Sequence, residues 1–525
     1  MQSIVTPLQA VLTGHMRQIR VKIRASWVKS ADPATVYAIV GTSLVDGPNL
    51  VQGQSTVITN ADLFDYMDES EFGMRVEYDR RLDEPRGGTS HAIADVLLDN
   101  ITGRFTPNKN ATIGTALEAR RPFKISMGFI ADGTDRLTQV IVGLTSSRPK
   151  PSKANKTVDI QIYDYITFID NANLDAAIYE NMRSDEIVED ILVSLGFGSS
   201  QYELDTGINT IAFGWFDKDK SAGRRIRDIC EAEEAHFYQD ENGILRFENR
   251  DHYANYPHQT VQRTIDPSDI LSDEADESTR IINRAIVIAK PRKVDDSTGV
   301  VWTSADIPSV PPSSSITIWP AFYDDQGGQN KLPVKEITTP ASTTDYVANS
   351  QEDGGGSDLT SDISIDVTNF VESAKMVITN SNVSTTAYLT TLQLRGKAAR
   401  VTQAIQAVSE DANSINKFEA QEYSYQNDLI QDRTIAQTIA DNLKNKYKDP
   451  LSRRRIRIPG IPHLQLKDLI SVISADAENL IPNPSFEVNL NHWELQTTGG
   501  SASVEKARDV GVPDGSYFSK ITVTS

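Results

Sequence analysis

The chain has 525 residues, with 72 acidic and 52 basic side chains and a formal net charge of −20. At about 100–200 residues per domain, this length predicts three or four domains. A single cysteine, Cys230, excludes a disulfide framework and zinc sites built from paired cysteines. No apolar run is long enough for a membrane helix, and residues 1–16 lack the pattern of a secretory signal. The acidic balance argues against a protein that holds nucleic acid by neutralising phosphates.

The negative charge is concentrated in the middle of the chain. Residues 151–300 hold 16 basic and 29 acidic side chains, a net charge of −13, whereas residues 1–150 hold 17 basic and 16 acidic ones. Two interpretations stay open. The acidic middle is either an ordinary solvated surface or a wall that repels a polyanion while letting it pass.

The first region is predicted to consist mainly of β-strands. Residues 19–25 alternate apolar and basic side chains, the period-2 pattern of a half-buried strand. Similar alternations recur at 74–78, 122–129, 139–144 and 157–163, with turn-forming residues between them. Short strands at this spacing, without a long helix between them, predict an antiparallel barrel or sandwich.

Helices follow. An apolar stripe begins after Ser184 and ends before Gly196, which predicts one amphipathic helix. Residues 222–235 predict a second helix that leads directly into a hairpin at 236–248. Residues 295–400 are rich in Ser, Thr, Pro and Gly around short β-like segments, which predicts a small inserted β domain. A further helix ends before Pro450.

Several of these segments resemble a known family. The sequence DVLLDNITGRFTP at 95–107 and the strand RPFKISMG at 121–128 resemble the first barrel of tail hub, or tail-associated, proteins of long-tailed phages. The helix–hairpin at 222–248, LTTLQLRG at 389–396 and PHLQLKD at 462–468 resemble later parts of the same family, in the same order. The family usually has glycine at the position of Lys467, so the last turn departs from its pattern.

The resemblance implies a mainly β fold with α+β parts: two related β-barrel domains of tail-tube type, a helix–hairpin domain, an inserted small β domain and a partial jelly roll. The expected boundaries follow the chain. They are 1–176 for the N-terminal region and first barrel, 177–265 for the helix–hairpin domain, 266–295 with 396–475 for the second barrel and its helix, 296–395 for the insert, and 476–525 for the jelly roll.

The last of these regions resembles the opening of a carbohydrate-binding jelly roll. The residues that carry this resemblance are NLIPNPSFE at 479–487 and NHW at 491–493. An eight-stranded module needs a longer chain than this, so the segment is either the start of a truncated module, which we expect, or a remnant of one. In that family the motif glutamate often helps to hold a structural calcium ion, which makes Glu487 a candidate metal ligand. An ordinary strand carboxylate is the alternative for Glu487.

The resemblance also implies a function. In the family, three chains form a ring that closes the tail tube at the distal end of the virion's tail. The implied partners are two further copies of the chain, distal tail and tail tube proteins, the tape-measure protein, the central fibre or receptor-binding components, host polysaccharide bound by the C-terminal module, and DNA that passes without specific binding. Stable membrane insertion is not expected. Neither is a cofactor, apart from the structural calcium ion.

The alternative is an enzyme, a tail-associated cell-wall peptidase or glycosidase whose catalytic domain lies in or after this chain. No catalytic constellation is found in the sequence, so a non-enzymatic role is favoured. Cys230 lies on the apolar stripe of its predicted helix and is interpreted as a core residue. His252 and His258 are interpreted as loop histidines with solvated rings, because the segment offers no third metal ligand.

Three further patterns have open interpretations. Residues 217–221 (DKDKS) imitate half of a calcium loop but lack its glycine, so a capped helix start is preferred. Trp302 and Trp319 are interpreted as anchors of the inserted domain's core, with a glycan-stacking platform as the alternative. The basic cluster at 453–457 predicts a strand with arginines on one face, suited to an acidic neighbouring subunit.

Overall fold

The computed structural model describes residues 19–28, 57–62, 76–80, 87–109, 117–254, 258–278, 280–324, 330–458, 461–465, 468–473, 501–507 and 518–524. It is 43% strand and 18% helix, so the predicted mainly β class is confirmed. No helix in the described part of the chain is long and apolar enough for a bilayer crossing.

The first nine strands lie before residue 164. They are β1 (Ile19–Val28), β2 (Val57–Asp62), β3 (Val76–Arg80), β4 (Gly88–Thr89), β5 (Ala92–Asp99), β6 (Pro122–Ala131), β7 (Thr134–Thr145), β8 (Lys150–Ser152) and β9 (Thr157–Tyr163). Eight of them form one sheet in the order β2-β1-β6-β7-β9-β5-β3, with β8 beside β9. The pairings described for this sheet leave it open. The strand pattern predicted an antiparallel barrel or sandwich, and the family resemblance implied a barrel.

The family-like segment DNITGRF forms a turn, and its phenylalanine is buried in the core of this sheet. The side chain of Asn100 accepts a hydrogen bond from the Phe105 amide at 2.9 Å. Gly103 lies at φ 71°, a conformation that glycine adopts without strain. Phe105 is fully buried with Val96 and Leu98 of β5. The segment therefore works as a local clamp that places an aromatic ring under the sheet.

Helices and short strands alternate in the next region. They are α1 (Tyr165–Asp170), β10 (Ala177–Arg183), α2 (Ser184–Ser194), β11 (Tyr202–Leu204), β12 (Thr210–Phe216), α3 (Ala222–Glu233), β13 (His236–Gln239) and β14 (Leu245–Glu248). β10 pairs with β12, and β11, β14, β13 and β4 form a four-stranded sheet. The two helices and the hairpin predicted from the sequence are confirmed.

Four strands lead into the inserted segment, defined here as residues 296–395: β15 (Arg263–Ile265), β16 (Ser272–Ser278), β17 (Arg284–Ala289) and β18 (Arg292–Val294). The segment contains β19 (Gly299–Thr303), β20 (Ser309–Val310), β21 (Ser314–Ile318), β22 (Val334–Ile337), β23 (Tyr346–Asn349), β24 (Ile363–Asn369), β25 (Ala374–Asn380) and most of β26 (Ala387–Val401). β26 pairs with β18, β19, β20, β22 and β23, while β21, β25 and β24 form a second sheet. Arg292 of β18 lies opposite Val401 of β26, so the segment leaves the body beside its point of entry.

The chain then returns through β27 (Ile405–Glu410), α4 (Ala412–Phe418), β28 (Glu422–Gln426), α5 (Arg433–Tyr447), β29 (Leu451–Arg457) and β30 (Ile470–Val472). β17 lies between β27 and β28, β15 pairs with β30, and β16 pairs with β29. A last antiparallel pair is β31 (Ser501–Ala507) with β32 (Phe518–Thr524). Single 3-10 turns occupy Ser199–Gln201, His252–Ala254, Pro267–Asp269 and Thr360–Asp362.

Three separate hydrophobic clusters organise the described residues. The first lies in the eight-stranded sheet and the third in the inserted segment. The second joins α1, α2 and α3 with β17, β27 and α5, so it unites residues 166–447 around the insert. This shared cluster makes the helix–hairpin region and the returning chain one packed body.

Candidate functional site: the acidic helix–hairpin region

The start of helix α3 carries the calcium-like sequence. The Ser221 hydroxyl accepts a hydrogen bond from the Arg224 amide at 3.4 Å and caps the helix. Just before it, Asp217 accepts hydrogen bonds from the amides of Asp219 and Lys220 at 2.9 and 3.0 Å. The prediction of a capped helix start is confirmed.

Cys230 lies inside the shared core. It is fully buried with Ile226 and Ile229 of the same helix. Burial raises the pKa of its thiol well above the usual range. The thiol therefore stays protonated at neutral pH, as expected of a small core residue and not of a nucleophile.

Every carboxylate of helix α2 contacts a group of this chain. Arg183 binds the first two, Asp185 and Glu186, each at 3.0 Å. The other two, Glu189 and Asp190, each accept a hydrogen bond of 2.8 Å from a tyrosine hydroxyl. The tyrosine hydroxyls that contact Glu189 and Asp190 are neutral groups, and both acidic residues are exposed.

Glu233 does not belong to any acidic surface. Its carboxylate is fully buried and accepts hydrogen bonds from the amides of Ile208 and Asn209, at 3.0 and 3.2 Å, and from the Ser184 hydroxyl. Burial raises the pKa of Glu233 above its usual value. The residue thus fastens the loop before β12 to the end of α3 and the start of α2.

A buried arginine, Arg225, binds backbone carbonyl groups much as Glu233 binds backbone amides. The Arg225 side chain is 1% exposed, and its guanidinium lies 5.8 Å from the centre of the Phe216 ring. It donates hydrogen bonds of 2.8–3.0 Å to the carbonyl oxygens of Leu174, Asp175, Asp217 and Lys220. Burial lowers its pKa. Arg225 therefore holds the loop before β10 and the loop after β12 in place.

The hairpin is joined to the N-terminal part of the chain by backbone pairing. β4 adds to β13 in parallel, with Gly88 opposite His236. Beside this junction, His91 Nε2 lies 3.1 Å from a carboxylate oxygen of Asp170, and the hydrogen bond that His91 donates to Asp170 raises the pKa of His91. The eight-stranded sheet and the helix–hairpin region are therefore connected by hydrogen bonds as well as by the chain.

The ring of His252 is not free in solvent. Its Nδ1 lies 2.7 Å from an Asp205 oxygen and its Nε2 lies 3.5 Å from a Glu248 oxygen. The His258 ring centre is 4.7 Å from that of His252. The prediction of a solvated loop histidine is therefore wrong for His252, because β14 and the loop before β12 place carboxylates beside it. Within the described residues, no group of three or more His, Cys, Asp or Glu side chains is placed to hold a metal ion.

Some acidic side chains of this region form ion pairs with lysines of the inserted segment. Lys331 lies close to Asp219, 3.4 Å from Glu372 and 4.0 Å from Asp217. A second ion pair, between Lys335 and Glu180 of β10, measures 2.8 Å. The loop before α3 and strand β10 thus present carboxylates to lysines of the insert.

The basic strand has an acidic partner within the same chain. β29 pairs antiparallel with β16, so that Arg455 lies opposite Glu274 and Arg453 opposite Asp276. The register pairs a basic strand with an acidic one, and the acidic neighbouring subunit stays a prediction.

The two tryptophans of the insert differ in environment. Trp302 is partly buried and packs against the insert's core, as predicted. Trp319 is 60% exposed and lies beside Phe370, so its interpretation as a core anchor is wrong. Phe370 was not predicted as a neighbour of Trp319, since no local sequence pattern links it to a tryptophan so far away in the chain.

Two of the sequence expectations lie outside the described residues. Lys467, the departure from the family pattern, is one of them, and the carbohydrate-binding motif at 479–493 with Glu487 is the other. The calcium ligand at Glu487 stays a prediction.

Comparisons with known proteins give partial structural likenesses. The chain matches no protein-family model and no curated protein. It is similar to the 43 kDa tail protein of prophage MuSo2 from Shewanella oneidensis (8% identity, TM-score 0.27, 41% of this chain and 61% of that one). It is also similar to a tail protein from Neisseria meningitidis MC58 (10%, 0.30, 51% and 64%). A third similar structure is the E. coli c3393 protein, a component of the type VI secretion system (12%, 0.25, 39% and 55%).

The chain thus spans between 55% and 64% of the length of these three structures. Over part of its length, the chain is similar in structure to these two tail proteins and to a secretion-system component.

Proposed function

We propose that this protein is a structural hub at the tip of a bacteriophage tail. Three copies would form a ring that closes the tail tube, connects it to the central fibre and host-binding domains, and opens to release the tape-measure protein and DNA. The mechanism is assembly and gating, and no covalent step is assigned to it.

The observation that carries the proposal is the order of the family-like segments together with their packing. The 95–107 segment forms β5 and its turn, and the 121–128 segment forms part of β6 in the same sheet. The 222–248 segment forms α3 and the hairpin, which pairs with β4. These three family-like segments therefore lie in neighbouring elements, and their order along the chain supports the proposal.

The charge distribution is compatible with a DNA channel. Duplex DNA carries a negative charge about every 1.7 Å of its axis, so a basic lumen would retain it. Several acidic side chains are used inside the chain, but the net charge of −20 is unchanged by those contacts, and Glu189 and Asp190 remain exposed. A ring of three such chains would repel phosphates from every side.

The test is the mass of the full chain in solution, measured by light scattering over a range of concentrations, together with electron microscopy of the chain mixed with purified tail tubes. The expected species has about three times the mass of the 58.0 kDa chain and is seen at one end of the tubes. A monomer at every concentration that also fails to bind tubes would contradict the proposal.

A cell-wall assay separates the hub from the alternative enzyme. The purified chain is incubated with host cell walls, and turbidity and soluble fragments are followed against a lysozyme control. We expect no loss of turbidity. Release of peptide or sugar fragments would instead indicate a tail-associated hydrolase.

A further inference from the structure

The inserted segment exposes an aromatic pair. The Trp319 side chain is 60% exposed and that of Phe370 is 43% exposed. Their ring centres are 5.9 Å apart and their planes differ by 30°. Large aromatic side chains contribute most to a core when buried, so two adjacent exposed rings are typical of a binding surface.

The turn that carries Phe370 is strained. Val371 has φ 69°, and the Glu372 amide donates to the Phe370 carbonyl at 2.8 Å across it. A β-branched residue rarely adopts this conformation, because its side chain crowds the backbone. Such strain persists only where the surroundings enforce it, and it is concentrated at functional sites.

The surroundings of the turn do enforce it. The Asn369 side chain accepts from the Val371 amide at 3.1 Å and donates to the Val334 carbonyl at 2.9 Å. The Val334 amide in turn donates to the Val371 carbonyl at 2.8 Å. Val334 of β22 therefore holds this turn through its backbone amide and carbonyl groups, which fixes the position of Phe370.

The aromatic pair continues the solvent face of the sheet β21-β25-β24. Ile365, Met376 and Ile378 of this sheet are buried in the insert's core, so the alternate positions face solvent. Trp319 follows β21 and Phe370 follows β24, each two residues beyond an exposed threonine of the same face. The exposed side chains of the face are Ser315, Thr317, Ser364, Asp366, Thr368 and Lys375.

The chemistry of this face selects a carbohydrate. Hydroxyl groups in rows, with one carboxylate and one ammonium group, can exchange hydrogen bonds with a polyhydroxylated chain. The two rings offer a flat apolar surface for the C–H face of a sugar ring. The face thus combines apolar contacts with a few polar groups, as ligand sites usually do. A nucleic acid is disfavoured, since the single ammonium group is offset by Asp366 and cannot neutralise a phosphate backbone.

We propose that the Trp319–Phe370 face binds an oligosaccharide of the bacterial cell surface. This site lies in the insert and is separate from the C-terminal motif at 479–493. The sugar site goes beyond the proposed hub function and rests on the geometry of residues 314–380, whereas the bacterial source of the sugar rests on the proposed function.

The test uses the full chain on an array of bacterial oligosaccharides, followed by titration of each bound glycan monitored by tryptophan fluorescence and calorimetry. Trp319→Ala and Phe370→Ala should each weaken binding at least tenfold. Val383→Ala is the matched control, because Val383 is an 83% exposed apolar residue of the same segment outside this face. The control should bind like the unmodified chain, and all variants should keep its melting temperature.

Three results would overturn the proposal. One is that the unmodified chain binds no glycan on the array. Another is that the folded Trp319→Ala and Phe370→Ala variants bind as tightly as the control. The last is that host-cell binding survives periodate oxidation of surface sugars but is lost after protease treatment, which would identify a protein as the occupant.

Discussion

At the scale of single residues, buried charged side chains of this protein hold loops in place by hydrogen bonds to the backbone. Glu233 accepts from two backbone amides, and Arg225 donates to four backbone carbonyls. A buried charge without such partners would be strongly destabilising, and each hydrogen bond to a charged group contributes about 1.5–3 kcal/mol. These residues belong to the acidic region by composition, but their role is architectural.

Replacing Glu233 by glutamine should destabilise the fold by about 1–3 kcal/mol, because the amide NH₂ group would face donors in place of an acceptor. The pKa of Glu233 is raised by burial, so the folded protein binds this proton more tightly than the unfolded chain. The unfolding free energy of the unmodified protein should therefore fall as pH rises above about 4.3, and Glu233→Gln should lack that component.

Chemical denaturation at several pH values measures both effects. Glu352→Gln, which removes an exposed carboxylate of the insert, is the control and should change neither. Equal pH profiles for the unmodified protein and Glu233→Gln would show that the buried carboxylate does not titrate as proposed.

The burial of some single residues could be predicted from the sequence, and the exposure of others could not. The burial of Cys230 followed from its place on an apolar helical stripe, a local property. The exposure of Trp319 did not, since it depends on the register of β21 against β25, which are some sixty residues apart. Trp302 and Trp319 look alike in sequence, and long-range pairing alone separates them.

At the scale of elements, close packing of helices α1 and α3 depends on one glycine. A Cβ atom at Gly223 would lie 2.5 Å from the Asp170 Cα atom. Backbone cannot yield as a flexible side chain can, so the two helices must separate if this position gains a methyl group.

Gly223→Ala should therefore destabilise the protein by about 1–3 kcal/mol, although alanine favours helix formation by about 1 kcal/mol. Gly299→Ala is the matched control, because a Cβ atom there meets nothing within 4 Å. Thermal unfolding followed by circular dichroism should show a lower melting temperature for the first variant alone. An unchanged Gly223→Ala variant would mean that α1 can move at little cost.

Element types were largely predictable, and their partners were not. The helices α2 and α3 and the β13–β14 hairpin follow from periodicity and turn residues within about thirty residues of sequence. The pairing of the basic β29 with the acidic β16 joins segments some 180 residues apart. The same holds for the open order of the first sheet, where local patterns gave strands without their neighbours.

At the scale of the whole molecule, the three hydrophobic clusters imply more than one cooperative unit. Differential scanning calorimetry should resolve at least two transitions. Asp345→Asn should lower only the transition of the inserted segment by several degrees, because Asp345 is buried there and binds Arg395 at 2.6 Å. Glu352→Gln, in the same segment, should leave every transition in place. A single transition that shifts as a whole would show that the clusters unfold together.

The adjacent entry and exit of the inserted segment have an evolutionary consequence. Val294 and Ala399 lie opposite each other on paired strands, a separation that a two-residue turn can close. Recombination at these two points could therefore replace the segment as a cassette while β17, β27 and α5 keep their shared core. If the proposed tail role and the proposed sugar site are both correct, one such exchange would change the sugar preference and leave the rest of the protein intact.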